Sequence, residues 1–415
     1  MRINLILFSS ELHDTPNILE ARSYLFDNLR AFCDINIINA ANCTPILEQD
    51  LKTKEQRNKV LTVLFIASGG TEEMFLNLFP FLKQPMIILS DGYHNSFAAA
   101  CEICTWLANN SVAHTALNIP IDPTPDYFQK LNYQFEKIHQ QIMIRYELNG
   151  ERIGLIGGSS SWLISSQVDK GLLSVKYGVV LIDIKNTELA DLFFSIKNEN
   201  RNFTNDPLIK KYDKLLIDGR TEEDLIHAII LYYALKEICT KYSLNALTIK
   251  CFDIIELCHT TSCLSMALLN DNGIVSGCEG DIPSLITMMV VKKRGNRCSF
   301  MANPSSADKT NLTVDFSHCT LPLSMAESFK LPSHFESSLG IGVKGTLPLG
   351  EYYIIKIGGT NMEKYFVCKG EIINNPNLPM RCRTQVRFRF NSRQNFDMFM
   401  ASRLGNHFII CKGDH

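Results

Sequence analysis

The sequence predicts an α/β protein in three parts. These are an open parallel-sheet domain over 1–148, a second over 149–297, and a strand-rich antiparallel domain over 298–415. Short apolar runs alternate with helix-like periodicity through the first third, and that pattern restarts after Asn149-Gly150. Past Arg297, strand-like runs follow one another with hardly any helix between them. The length agrees, since 415 residues suit two or three domains of roughly 100–200 residues each.

In the first part, Ile3–Phe8 reads as a buried strand, its apolar stretch too short for a secretory signal. Asn17–Phe32 has the spacing of one amphipathic helix. Ile35–Asn39, Val60–Ala67 and Met86–Leu89 are short apolar runs bounded by turn residues. Ser68-Gly69-Gly70-Thr71 and Ser90-Asp91-Gly92 follow strands directly, where open parallel sheets keep their ligand crevice. Asn95–Leu107 is helical, and a long polar helix, Asp126–Glu147, leads to the Asn149-Gly150 linker.

The second part restarts at Arg152–Gly157, followed by Gly158-Ser159-Ser160-Ser161 and a helical opening at Trp162. Small residues between strand and helix suit a polar or anionic group, or simply a tight turn. They do not form a dinucleotide fingerprint. Val179–Ile184 and Ala246–Phe252 are strands flanking a helix over Glu222–Tyr242, whose Leu225, Ile229, Tyr232 and Leu235 share one face. In the third part the strand candidates are Asn311–Phe316, Gly340–Gly345, Tyr352–Ile357, Lys364–Lys369, Arg381–Phe390 and His407–Cys411. Consecutive strands of this kind predict an antiparallel sheet or barrel. Within Arg381–Phe390 the arginines 381, 383, 387 and 389 share a face with Gln385. That face reads as solvated or edge-protecting charge, or as a surface for an anion or partner.

Composition narrows the function classes. Lys+Arg is 41 against Asp+Glu 43, a net charge of −2, with no electrostatic footprint for nucleic acid or an anionic membrane. The longest apolar runs fall short of the ~18–20 residues that span a bilayer. Fourteen cysteines show no repeated spacing, which suits a reduced, cytoplasmic protein. Cys101-x-x-Cys104 lies in a helical pattern with no second pair nearby, and suits buried thiols better than zinc or redox chemistry.

Chemistry-bearing residues concentrate in Cys251–His318. Glu279 and Asp281 stand between a strand (Ile274–Cys278) and a helix (Ile282–Val291), with Gly280 permitting a sharp turn. Asp281 suits a helix cap. Glu279, at the end of an apolar strand among small residues, suits a hard divalent cation or proton abstraction beside a carbonyl. His318 and His407 flank strands, and each is open to a structural or a ligating role.

The run Cys263–Asp281, with its Gly277-Cys278-Glu279-Gly280-Asp281 block, resembles the L-fucose isomerase and L-arabinose isomerase superfamily. Ile153–Ile164, Phe316-Ser317-His318-Cys319, Leu404–Ile409 and Asp91–Leu107 agree in order along the chain. The resemblance implies two Rossmann-like open parallel-sheet domains followed by a C-terminal antiparallel β-barrel domain. It also implies a metal-dependent aldose–ketose isomerase, an intramolecular oxidoreductase acting on a fucose/arabinose-like sugar through an enediolate in carbohydrate metabolism. Relatives are usually manganese-dependent and oligomeric, so Mn²⁺ or another divalent cation, a small sugar substrate and a homo-oligomer are expected.

By that mapping Glu279 is the metal-binding, proton-shuttling glutamate, and His407 the C-terminal histidine ligand. His318 is a further histidine, placed with Trp162 and Ser160 against the substrate. Asn303 takes the second catalytic and metal-binding carboxylate position, where aspartate is expected. Its amide oxygen can coordinate a cation, but it carries no charge and is no base, so the metal site is weakened. Two readings follow: an active isomerase, or a catalytically impaired homologue that binds a sugar or sugar acid as a sensor or partner subunit.

Overall fold

Apolar β-branched runs form the sheets where helices cover both faces. The computed structural model describes residues 2–10, 12, 15–43, 60–82, 86–112, 114–199, 202–295, 297–402 and 404–413. The chain divides into two compact units, Met1–Tyr146 and Glu147–His415, considered in turn.

In the first unit, β1 (Arg2–Phe8), β2 (Asp34–Asn39), β3 (Val60–Ile66), β4 (Met86–Ser90) and β5 (His114–Asn118) form a parallel sheet in the order 2-1-3-4-5. Side chains of β1, β3 and β4 are buried on both faces, as a parallel sheet under two helical layers requires. The expected single helix over 17–32 is instead two, Thr15–Ala21 and Ser23–Arg30. The break falls at Arg22, whose buried guanidinium pairs with Asp91 (Nε–Oδ2 2.5 Å) and donates to the Ala67 carbonyl. Apolar spacing cannot register such an ion pair.

The second unit begins with a four-stranded parallel sheet in the order β7-β6-β8-β9: β6 (Arg152–Ile156), β7 (Val180–Ile184), β8 (Ala246–Ile249) and β9 (Val275–Cys278). The helix Glu222–Tyr242 forms as expected, opened by a Thr221–Asp224 capping box. The helical opening expected at Trp162 does not form. Residues 157–169 are turns, and the next helix is Lys170–Tyr177, capped by Asp169. Gly157 and Gly158 both have positive φ and turn the chain sharply as it leaves β6.

Six antiparallel strands then close into a barrel in the order β10-β11-β16-β15-β14-β17. They are β10 (Phe300–Asp308), β11 (Thr313–His318), β14 (Gly350–Gly358), β15 (Lys364–Asn374), β16 (Thr384–Phe390) and β17 (Phe408–Cys411). Two short strands, β12 (Ser328–Lys330) and β13 (Lys344–Thr346), pair only with each other. The helix Arg393–Ala401 was not legible in the sequence. It drives Phe399 into a barrel cluster with Phe316, Phe366, Phe390 and Phe408.

The arginine face is not an edge, because β16 is paired on both sides. Arg381 and Arg387 pair with buried Asp315, Arg389 with Glu371, and Arg383 donates to the Ser333 carbonyl. Among the described residues, no helix is long and apolar enough to cross a membrane.

Candidate metal and sugar site

The site lies within the second unit, where the carboxyl ends of β6 and β9 meet the barrel. That end of an open parallel sheet, at the reversal of strand order between β6 and β8, is where ligands bind. The chain leaves β9 through Glu279 and Gly280, both left-handed (φ +61° and +71°). Non-glycine residues enter this region only when their surroundings enforce it. Here the Ser160 amide donates to the Glu279 carbonyl (2.9 Å), and Ser159 Oγ donates to the Gly280 carbonyl (2.7 Å). The glycine-serine loop after β6 thus clamps the backbone that presents Glu279.

The Glu279 side chain, 13% exposed, accepts from Trp162 Nε1 at 2.7 Å, and its Oε1 stands 3.6 Å from His407 Nε2. Burial alone would raise this carboxyl. His407, His318 and the Trp162 donor outweigh it and bring it down to about 2. Burial likewise opposes protonation of His407, but Asp281 and Glu279 prevail and lift it to about 8. His318 has no such support: burial, with the neighbouring His407 charge, lowers it to about 3 and leaves a neutral imidazole. Its Nδ1 is engaged by Thr320 Oγ1 at 2.9 Å.

Behind these groups, Asp281 caps the following helix through the Ser284 amide (2.9 Å), as expected, and also accepts from His407 Nδ1 (2.9 Å). Fully buried Lys356 stands 3.5 Å from Asp281 and donates to Ser284 Oγ at 2.6 Å. Lys356, Asp281 and Ser284 therefore orient His407 with Nε2 toward Glu279.

Asn303 enters through register. It pairs with Ser317, beside His318, and lies one residue past the Ala302–Phe408 pair, next to His407. The pocket it lines with Glu279 and His318 is narrow, with a cavity volume of about 30 Å³. Cys278, Cys251, Cys263, Cys319 and Cys382 share its wall.

Of the residues expected from sequence, Glu279, Asn303 and His318 come together in this pocket. His407 stands beside it and Trp162 donates to Glu279, whereas Ser160 is buried behind Glu279 and supports it through its amide. Cys278, Lys356 and Thr320 went unremarked as site residues. A lone lysine inside the apolar run Tyr352–Ile357 was the one sequence signal for Lys356.

A cation is expected from the resemblance, and the donors fit one. Among the described residues, Cys278, Glu279 and His318 bring one ligand atom each within 4.8 Å of one another. Asn303 Oδ1 is buried with no hydrogen-bond partner, and His407 Nε2 has only the 3.6 Å approach of Glu279 Oε1. Buried polar atoms seldom stay unpaired, so the Asn303 oxygen suits a ligand held in this pocket.

Fold and site together define the class: parallel α/β layers presenting a carboxylate–imidazole cluster against a β-barrel. This resemblance to the L-fucose isomerase-like superfamily extends over most of the chain. The sulfoquinovose isomerases of Priestia aryabhattai and Priestia megaterium are each 21% identical over 375 residues, 86% of this chain and 82% of theirs. That of Alkalicoccus urumqiensis is 23% identical over 234 residues, 54% of this chain and 52% of its own, so the chain spans about half of that relative. No family model matches the chain. The relatives support an isomerase in carbohydrate metabolism.

Proposed function

We propose that the protein is a metal-dependent aldose–ketose isomerase acting on a fucose/arabinose-like sugar. The observation that carries the reading is the convergence of Glu279, Asn303 and His318 on one pocket, with the Asn303 Oδ1 left without a hydrogen-bond partner beside them. A divalent cation, Mn²⁺ in the first instance, would be held by Glu279 with Asn303 and the histidines. When bound, it supplies Lewis acidity to neighbouring sugar oxygens.

The remaining work falls to side chains. Glu279 is ionised at neutral pH, the state in which a carboxylate can take the proton from one sugar carbon and return it to the next, passing through an enediolate. Trp162 Nε1–H fixes one carboxylate oxygen and leaves the other toward His407. His318, on the pocket wall, and Trp162, bonded to Glu279, would contact the sugar, and Asn303 can hold an oxygen but cannot move a proton at neutral pH.

The test is ketose formation by chelator-stripped protein reloaded with Mn²⁺, assayed on fucose, arabinose, related pentoses and sulfoquinovose. Turnover should appear with the metal, and Glu279→Gln should lower it roughly 10²–10⁴-fold, the usual weight of a general base. Unchanged turnover in that variant would refute the reading. The second reading, an impaired sugar-binding homologue, is favoured by the uncharged Asn303. It would show as sugar binding without turnover in the wild type and turnover gained in Asn303→Asp.

A further inference from the structure

Resting on that proposed function, the donor set points to a particular kind of cation. We infer that Cys278 is itself a metal ligand, and that the centre favours a borderline, thiophilic divalent cation such as Zn²⁺ or Co²⁺ over Mn²⁺. Cys278 closes β9 one residue before Glu279, and its Sγ joins a Glu279 oxygen and a His318 nitrogen within 4.8 Å. Ligand atoms around a tetrahedral zinc are roughly 3.3–3.8 Å apart, so closure asks for a movement of about 1 Å.

The chemistry of the set argues the same way. A hard cation wants anionic oxygens, and Asn303 offers a neutral one. One thiolate, one imidazole and one carboxylate suit a softer cation, and the same site binds Zn²⁺ and Co²⁺ more tightly than Mn²⁺ in the general affinity order. The thiolate also replaces the negative charge that an aspartate at 303 would have carried. Cys251 Sγ lies 3.2 Å from Cys278 Sγ, on the wall of the same pocket. On coordination Cys278 releases its proton to solvent, and the Cys251 thiol can turn to donate to the new thiolate.

The experiment is a Co²⁺ titration of the chelator-stripped full-length protein, followed by absorption. We expect a thiolate-to-cobalt charge-transfer band in the near ultraviolet. Zn²⁺ should abolish it at concentrations at least tenfold below those at which Mn²⁺ does. Cys278→Ser should lose the band, while Cys251→Ser keeps it, and Glu279→Gln should weaken Co²⁺ binding at least tenfold. Cobalt bound without a charge-transfer band in the wild type would overturn the inference without any variant having to fold. A band that survives Cys278→Ser, as exposed Cys101 with Cys104 could produce, would overturn it too. Mn²⁺ binding lost in Glu279→Gln but accompanied by no thiolate band would leave the isomerase reading standing and refute this one. No binding of Co²⁺, Zn²⁺ or Mn²⁺ at millimolar concentration would refute both.

Discussion

At Gly280 a Cβ would lie 2.2 Å from the Gly158 carbonyl oxygen and 2.4 Å from Ser159 Cα, both backbone atoms that cannot swing aside. With φ at +71° as well, any side chain there forces the β9 exit away from the glycine-serine loop. Gly280→Ala should therefore cost about 1–3 kcal/mol, read by denaturant unfolding. It should also weaken cation binding, read by calorimetry, because the loop's hydrogen bonds to the Glu279 and Gly280 carbonyls stretch together. Asn303 makes the contrasting case. Its position was found by resemblance, and its chemistry by the unpaired oxygen it turns into a pocket.

Strand β11 shows what an element adds to its residues. Asp315 lies in a strand otherwise made of Thr, Val, Phe, Ser and His, and it stays buried because Arg387 and Arg381 reach it from β16 and the segment before it. Burial alone would raise its carboxyl, but hydrogen bonds from Arg387, Arg381 and Ser306 outweigh that and hold it below the usual aspartate value. A depressed carboxyl stabilises the fold above its unfolded pKa, about 3.9, and the stabilisation disappears as pH falls through the folded value. Asp315→Asn should thus lose about 1.5–3 kcal/mol at neutral pH. Its unfolding free energy should fall less steeply than the wild type's on acidification below pH 4, measured by urea unfolding across pH. Equal slopes in the two proteins would show that the arginines contribute nothing through this carboxylate.

On the molecular scale, the groups of the candidate site come from widely separated parts of the chain within the second unit: the loop after β6, the exit of β9, the ladder of β10 and β11, and the residue before β17. In the first unit, Tyr93, Phe97 and Ile121 are exposed after the carboxyl ends of β4 and β5. We extend the proposal to a homo-oligomer. Light scattering of the full chain should give an integral multiple, two or more, of 46.9 kDa, and a monomer at micromolar concentration would reject it.

Much of this architecture is legible in the sequence, because buried parallel strands and amphipathic helices write their period into the residue order. The strands β1, β3, β4, β6 and β9 and the helix Glu222–Tyr242 fall within a residue or two of their expected bounds. The Cys-Glu-Gly-Asp block marked Glu279 as well. Less legible was whatever depends on partners distant along the chain. The helix break at Arg22 answers to Asp91, the arginine face to Asp315, and the orientation of His407 to Asp281 and Lys356. Pairing energies of this kind act between side chains that local periodicity cannot relate. The donor set itself is of the same origin, since Cys278, Glu279 and His318 share a pocket only because a closed barrel is packed against the carboxyl end of a parallel sheet.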